Sequence, residues 1–385
     1  MFSQEEIQQA ITIRQDLHAH PELRYEEHRT AAIVQVELER LGYEVQSGIA
    51  KTGVVALLRG SQEGPCIAFR ADMDALPIAE KTGLPYASKH EGKMHACGHD
   101  GHTATLLLAA RYFAKHRDSF KGTIKLIFQP AEEGGNGADL MVKEGVLDNP
   151  RVEAIFGYHN RPGYPAKQIL LRPNSAMGGN DSYELTIYGK AGHSAMPHLA
   201  IDPIYIGANI VQQTQGLVGR GKSPLKHGVI TVSTFHAGTA SNVIPETAKL
   251  TINIRSDSAE TREQLSGRIE ALVKANCEAF GAAYHLAHIN YMPPLVNPPQ
   301  QVEEVLKALN THLPEYDVLK LDYMPTMGAE DFAFYLEQVP GCFLFVGVGE
   351  DVPYLHNEMY NFNDEILATA AAAFVAIAKQ YLAIK

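Results

Sequence analysis

The sequence has 385 residues, of which 45% are hydrophobic and 20% charged, and it carries a formal net charge of -11 at pH 7. This length favours two domains over one, and this composition excludes long disordered tracts. Nucleic-acid and anionic-membrane binding both depend on an excess of lysine and arginine, so the acidic balance argues against such partners and favours a small-molecule ligand.

The sequence predicts a cytoplasmic protein. Residues 1–6 are acidic and lack the basic and apolar regions of a signal peptide. The longest apolar stretch, at 367–378, is alanine-rich and shorter than the roughly 20 residues of a membrane span, so we expect a buried C-terminal helix there. The four cysteines have no paired spacing, which is typical of reduced thiols rather than of a disulfide framework.

The first half of the chain alternates between short apolar runs and longer amphipathic segments. A capping-box pattern at Ser3 and Glu6 predicts a first helix that reaches His18. Strands are expected at 54–58, 66–69, 124–128 and 154–158, and helices at 102–114 and near 138–144. This alternation is typical of a parallel or mixed sheet wrapped by helices.

From about Asp181 the pattern changes. Strands are expected at 183–188, 229–235 and 249–255, and helices at 203–218 and 259–280. After a proline-rich stretch at 292–299, a strand near 343–348 and a helix at 364–382 restore the first pattern. We therefore predict a discontinuous α/β domain of residues 1–180 and 293–385, with a mixed sheet and helices on both faces. A smaller α+β domain of residues 181–292 interrupts it.

Residues 95–102 crowd one thiol and three imidazoles into a single short segment. Thiolate and neutral imidazole are the ligands that borderline-soft divalent metals prefer. Taken singly, Cys97 and His99 are as well explained by a buried thiol and a hydrogen-bonded imidazole. The context of the segment favours a metal site.

Further polar residues follow the predicted strands of the first domain, where open α/β sheets build their ligand crevices. Asp72 and Asp74 follow the strand at 66–69, Glu132 and Glu133 follow the strand at 124–128, and His159 follows the strand at 154–158. We expect these side chains to meet at one edge of the sheet.

With Cys97 and His99, three residues complete a set of five candidate ligands that is large enough for two metal ions: Glu133, His159 and His356. Two ions sharing a bridge lie roughly 3.5 to 4 Å apart. Glu132 and Glu133 are adjacent, and adjacent side chains diverge, so the two carboxylates can have different roles. One carboxylate can bind metal while the other takes a proton from a metal-bound water, whose pKa falls from 15.7 toward about 7. The alternative is a solvated pair of loop carboxylates.

Seven motifs follow one another along the chain, at residues 17–23, 70–77, 95–102, 129–134, 192–194, 242–246 and 327–332. In this order they resemble the motifs of the M20 metallopeptidases. The resemblance is to the amidohydrolase branch, which contains hippurate hydrolases, N-acyl-amino-acid deacylases and auxin-conjugate hydrolases. The motifs span nearly the whole chain, and seven motifs in the right order are far more specific than any one of them.

The resemblance implies a role for each candidate residue. Glu132 would be the general base, and Asp74 would hold a metal ligand or the base in orientation. The smaller domain would be a lid that dimerises, so that His193, from the partner subunit, would stabilise the tetrahedral oxyanion. Asn242 and Arg255 would contact substrate. The implied metal ligands are Cys97, His99, Glu133, His159 and His356.

Two points depart from a simple transfer of these roles. Arg255 would suit a substrate carboxylate, because a planar guanidinium binds a carboxylate bidentately, but it is also explained as a surface strand cation. Members of the wider superfamily usually carry His-x-Asp at the position of Asp72-Met73-Asp74 and a bridging Asp near His99. The bridge here is therefore the Cys97 thiolate, the Glu133 carboxylate or a water, and the metals are Zn, Mn, Co or Ni.

The sequence thus predicts a cytoplasmic, metal-dependent amidohydrolase that forms a homodimer through its lid. It would cleave hippurate-like or N-acetyl amino acids to a carboxylate and a free amino acid. One alternative is a dipeptidase or carboxypeptidase that uses the same site. Another is a non-catalytic metal or ligand binder, which would have no use for Glu132 as a base. A third is a lid that serves mainly for assembly.

Overall fold

The structure is a computed structural model, and it describes residues 1–323 and 326–383. The helices are α1 (Gln4–Ala19), α2 (His28–Arg40), α3 (His99–Lys115), α4 (Glu132–Gly135), α5 (Gly137–Lys143), α6 (Pro203–Gly221), α7 (Ala259–Ala279), α8 (Pro299–His312), α9 (Ala333–Leu336) and α10 (Leu367–Leu382). The strands are β1 (Glu44–Ile49), β2 (Gly53–Arg59), β3 (Gln62–Asp72), β4 (Lys121–Gln129), β5 (Ala154–Pro162), β6 (Ile169–Leu171), β7 (Asn174–Met177), β8 (Gly179–Tyr188), β9 (Gly192–His193), β10 (Gly228–Ala237), β11 (Val243–Ile244), β12 (Thr247–Ser256), β13 (Ala283–Met292), β14 (Leu295–Asn297), β15 (Val318–Lys320) and β16 (Gly341–Gly349).

The chain forms two compact units. The larger unit contains Met1–Asn174, Asn297–Met324 and Phe334–Lys385, and the smaller unit contains Ser175–Val296 and Pro325–Ala333. The larger unit is therefore discontinuous, because its segments precede and follow the smaller unit in the sequence.

The larger unit is built on a mixed sheet with the strand order β1-β2-β4-β3-β5-β16-β6-β15. Strand β3 pairs in parallel with β4 and β5, and β16 pairs in parallel with β5. The edge is antiparallel, since β2 runs opposite to both β1 and β4. The mixed α/β fold that the sequence predicts is confirmed. The parallel centre brings the carboxyl ends of β3, β4 and β5 to one edge of the sheet.

Alternate residues of β4 show that both faces of this sheet are covered. Leu126 and Phe128 are buried in the core that α3 and α10 share with the sheet. Lys125 and Gln129 point to the opposite face, where the Lys125 ammonium donates to the carbonyl oxygen of Val146 at 2.8 Å and Gln129 accepts from the Tyr335 hydroxyl at 3.2 Å. Helix α5 also packs against β4.

The last helix and the turn before it, Asp364–Leu382, are long and apolar enough to cross a membrane by length and composition alone. In this fold, however, 72% of the apolar window is buried inside the protein. The segment is a core helix that packs against α3, as its alanine-rich sequence predicts.

The predicted elements are present, with bounds that differ by a few residues. Two of these differences concern candidate site residues: β3 includes Asp72, and β5 continues through His159 to Pro162. These polar residues do not end their strands, because each is buried beside polar partners at the sheet edge. Helices α2 and α8 were not predicted, although their buried residues recur at helical spacing, as Val302, Val305 and Leu309 do in α8.

The smaller unit contains an antiparallel sheet with the order β10-β12-β8-β13, and α6 and α7 pack against it. Its own apolar core includes Leu185, Ile210, Leu250 and Ile269. A separate two-stranded ribbon pairs β9 with β11, so that His193 lies opposite Val243.

Candidate metal centre and active site

The N-terminus of α3 presents the first two predicted ligands at the sheet edge. Gly98, between Cys97 and His99, has a φ of +92°, and a Cβ there would lie 2.5 Å from the Asn160 Oδ1 atom. Only glycine fits this conformation and this close approach. Gly98 thereby allows the chain to turn into the helix with Cys97 and His99 both buried.

The Cys97 thiol faces His159, which lies on strand β5. The His159 Nδ1–H group donates to the carbonyl oxygen of Asn160 at 2.8 Å, which leaves a lone pair on Nε2, 3.4 Å from the Cys97 Sγ atom. Burial lowers the pKa of His159 well below its usual value, and the neighbouring imidazole of His102 lowers it further. His159 is therefore neutral, which is the form of imidazole that binds metals.

His99 is held by two aspartates from the end of β3. Its Nδ1 atom lies 3.3 Å from Asp74 Oδ1, and its Nε2 atom lies 3.6 Å from Asp72 Oδ2 without a hydrogen bond to any described residue. Burial lowers the pKa of His99, but the carboxylates of Asp72 and Asp74, reinforced by Glu133, outweigh it and raise that pKa to about 10. The pocket around this ring thus favours a positive charge.

Glu132 and Glu133 lie on the turn after β4, which is irregular. Ala131 has a φ of +56°, and Glu133 has a φ of -69° with a ψ of 70°, outside the helical region. Asp74 clamps this turn: its two carboxylate oxygens accept the backbone N–H groups of Glu132 at 3.0 Å and Glu133 at 2.9 Å. Asp74 therefore contacts a predicted ligand and the backbone of the predicted base at once.

Glu133 also meets His356 from the loop after β16. The Glu133 Oε1 atom lies 3.1 Å from the His356 Nε2 atom. Although Oε1 is buried, it accepts no hydrogen bond of acceptable geometry from the described residues, His356 included. Two potential ligand atoms therefore lie close together without a hydrogen bond between them.

The five predicted ligands, which we call the ligand cluster, come together as two groups that share one residue. Cys97, His99 and His159 offer ligand atoms within 4.8 Å of one another, and so do Cys97, Glu133 and His356. Their role as metal ligands stays a prediction.

The chemistry of the ligand cluster fits divalent metal ions. Burial raises the pKa of the Cys97 thiol well above its usual value, and the charges of Glu133 and Glu132 raise it further, so a thiolate here requires a compensating cation. The buried His99 Nε2 and Glu133 Oε1 atoms have no hydrogen-bond partner in the described part of the chain. A nitrogen, sulfur and oxygen donor set of this kind suits zinc and its first-row neighbours.

Sequence reasoning gave no definite role to the residues that support the ligand cluster from behind. His102 lies between Asp72, with Nδ1 2.6 Å from Asp72 Oδ1, and Asn160, with Nε2 2.5 Å from Asn160 Oδ1. The buried Arg70 guanidinium donates to the other Asp72 oxygen at 2.8 Å. The signal was present: His102 is one turn beyond His99 on α3, and Asn160 is adjacent to His159.

The other predicted site residues lie in the smaller unit. His193 is exposed, and its Nδ1 atom accepts the Ala195 N–H at 3.0 Å, so its Nε2–H group remains a donor. The Asn242 carbonyl oxygen accepts the Ser194 N–H at 3.1 Å, which ties this residue to the His193 loop. Arg255 is half-buried and donates from Nε to Asn253 at 3.1 Å. Their roles in oxyanion and substrate binding stay predictions.

A mixed sheet that carries a five-residue ligand cluster and a buried carboxylate at its carboxyl edge defines a metallohydrolase. The model of peptidase family M20/M25/M40 matches residues 68–380, and the chain belongs to this family. It is 37% identical over 370 residues to a hippurate hydrolase of Campylobacter jejuni, covering 96% of each chain. It is 39% identical over 377 residues to an N-acetyl-L-cysteine deacetylase of Bacillus subtilis, covering 97% of this chain and 88% of that one.

A solved structure supports the same family assignment. A dinuclear metal-binding peptidase of the M20 family from Bacillus subtilis superimposes with a TM-score of 0.86 at 33% identity, covering 100% of both chains. The resemblance that the sequence motifs carry is confirmed, and the chain is an enzyme of the amidohydrolase branch.

Proposed function

We propose that this enzyme cleaves the amide bond of N-acyl amino acids, releasing a carboxylate and a free amino acid. The observation that carries the proposal is the position of Glu132, a buried carboxylate on the same turn as the ligand Glu133. Relatives named for hippurate and N-acetylcysteine support hippurate-like and N-acetyl substrates. The buried Cys97 thiol suits the reducing cytoplasm.

The ligand cluster would hold two divalent ions, Zn, Mn, Co or Ni. Cys97 and Glu133 each belong to two groups of neighbouring ligand atoms, so the thiolate and the Glu133 carboxylate both stay candidates, beside a water, for the ligand that the two ions would share. When bound, such ions polarise the substrate carbonyl and lower the pKa of a water molecule toward about 7. His159 and His99 would serve as neutral ligands, oriented through their Nδ1–H groups by Asn160 and Asp74.

Glu132 would accept the proton of the attacking water and return it to the departing amide nitrogen. Asp74 positions this base, because both of its oxygens are bonded to the turn that carries the two glutamates. The same aspartate contacts His99, so it would hold the base and a metal ligand at a constant separation. Proton transfer and carbonyl activation would thus both depend on Asp74.

We propose further that the enzyme is a homodimer joined through the smaller unit, with His193 of one subunit serving the oxyanion of the other. Strand β10 forms one edge of the sheet of that unit and exposes Val229 and Phe235, and Leu225 just before it is 87% exposed. An unprotected apolar edge strand is a template for pairing with a second chain. Sedimentation of a Val229→Lys variant should show monomers where the wild type forms dimers. A wild-type monomer would refute this assembly.

The experiment that tests the function compares Glu132→Gln with wild type on N-acetyl amino acids, N-benzoyl amino acids and unblocked dipeptides. We expect the variant to keep its metal content and lose about 100- to 10,000-fold in turnover. A matched control is Glu63→Gln, an exposed glutamate near the opposite end of β3, which should leave turnover unchanged.

The other possible results of this experiment would each favour an alternative to the proposed function or to the role of Glu132. Wild-type cleavage of unblocked dipeptides alone would replace the proposal with a dipeptidase or carboxypeptidase. Metal-replete enzyme that cleaves nothing in the panel would point to a ligand binder. Near-native turnover by Glu132→Gln would remove Glu132 from its assigned role.

A further inference from the structure

Arg161 lies on β5, two residues beyond His159, and has no part in the mechanism proposed for Glu132 and Asp74. Phe156 and Tyr158 of this strand are buried in the core with α3 and α10. Because side chains alternate along a strand, His159 and Arg161 both point to the opposite face. Arg161 also lies over the ring of Tyr354 at 5.6 Å. Tyr354 is two residues before His356, so Arg161 and the ring that it contacts are each two residues from a predicted ligand along the chain.

Arg161 is buried, with 6% of its surface exposed. Among the residues that the structure describes, its guanidinium has no carboxylate partner, and its buried Nε has no hydrogen bond. The other deeply buried arginines differ from it: Arg14 donates to Asp364 at 2.8 Å, and Arg70 donates to Asp72 at 2.8 Å. A buried guanidinium without a counter-charge is costly, and it gains most when an anion arrives.

We infer that Arg161 binds a carboxylate group of the substrate. The inference rests on the proposed function and deepens it, because it makes an anionic substrate the preferred class. A planar guanidinium donates two parallel hydrogen bonds to a carboxylate, and the Tyr354 ring on one side restricts its orientation. The carboxylate has two possible sources: the α-carboxylate of the amino acid part, or a carboxylate on the acyl group.

The test uses the metal-loaded enzyme and three substrates that differ in where the carboxylate lies. N-acetyl-L-methionine carries the α-carboxylate, its carboxamide carries none, and N-succinyl-L-methioninamide carries one on the acyl side only. Wild type should favour one carboxylate substrate over the neutral amide by about 10- to 100-fold in kcat/KM, mainly through KM. The substrate that gains identifies the source of the carboxylate.

Arg161→Met should reduce this preference to a few-fold while cleavage of the neutral amide stays near the wild-type rate. Arg161→Lys keeps the charge without the two-pronged geometry, so it should retain part of the preference. The matched control Arg59→Met removes an exposed arginine paired with Glu44 and should change nothing. Because Arg161 has no carboxylate partner among the described residues, its replacement by methionine should not lower the melting temperature.

An unchanged preference in Arg161→Met would overturn the inference, and so would a preference that Arg255→Met abolishes while Arg161→Met leaves it intact. If wild type cleaves none of the three compounds, the proposed function fails on its own. Calorimetric titration with N-acetyl-L-methionine and its carboxamide then tests Arg161 separately. Equal affinities of wild type and Arg161→Met for the carboxylate would again overturn it.

Discussion

Two buried polar networks lie along α3 in the larger unit, and they balance their charge differently. In the first, which we call the Arg14 network, Arg14 and His18 meet the carboxylates of Asp100, Glu80 and Asp364. Every charge in it has an opposite charge within the fold.

The second network, around the ligand cluster, is rich in acidic groups. The carboxylates of Asp72, Asp74, Glu132 and Glu133 lie beside the Cys97 thiol, and the cluster retains buried ligand atoms without hydrogen bonds in the described chain. The Arg14 network therefore balances its charges within the fold, whereas the second network, in which Arg70 pairs with Asp72, still holds more acidic groups than cations and suits a cation from outside. The first should therefore govern stability, and the second should govern metal binding and catalysis.

The largest expected effect comes from removing the shared ligand. Cys97→Ser should weaken metal binding at least about 100-fold and abolish turnover, because Cys97 belongs to both ligand groups. Metal analysis after dialysis and a turnover assay measure the two effects. Cys342→Ser, at another buried free cysteine, is the matched control and should keep its metal. Oxidation of the thiol should likewise inactivate wild type, and full metal retention by Cys97→Ser would contradict the contrast between the networks.

A smaller effect, on stability alone, is expected from Arg14→Met. The substitution leaves Asp100 and Asp364 without their shared guanidinium, which should lower the free energy of unfolding by about 3 to 5 kcal/mol. Urea denaturation measures this loss. The folded fraction should bind metal as wild type does. A change in metal stoichiometry with no loss of stability would reverse the roles that we give the two networks.

The smallest effect is a pH dependence carried by His18. Burial lowers the pKa of His18, but Asp100 and Glu80 outweigh it and raise that pKa to about 9. The protonated ring therefore stabilises the fold fully below about pH 6.5, and this contribution, at most about 3 kcal/mol, is lost as the pH rises through 9. Urea denaturation of wild type and His18→Gln should show a difference at pH 6 that shrinks by pH 9.5. A constant difference would exclude His18 as the titrating group.

The parts of the site that are close in sequence were predictable, and so were those that follow strands. Cys97 and His99 are one residue apart, and Glu133 lies just past a strand whose apolar run is plain in the sequence. Arg161 was within reach as well, since strand alternation places it on the face of His159. It was missed because β5 was expected to end at residue 158, whereas it continues to Pro162.

Other features depend on contacts between distant segments. His102 sits among the same imidazoles as His95, yet only the fold shows that His102 joins Asp72 to Asn160 while His95 has no hydrogen bond among the described residues. The clamp of Asp74 on the glutamate turn joins residues 58 and 59 positions apart. No local pattern encodes such a pairing.

The sequence by itself determined the family, the mixed α/β class and the list of candidate ligands, because these depend on residue type, periodicity and motif order. Only the tertiary structure decided that Cys97 belongs to two ligand groups, that Asp74 supports a ligand and the base together, and that Arg161 is buried without a counter-charge. Hydrogen bonding, burial and charge balance are properties of neighbours in space, and the fold chooses those neighbours from remote parts of the chain.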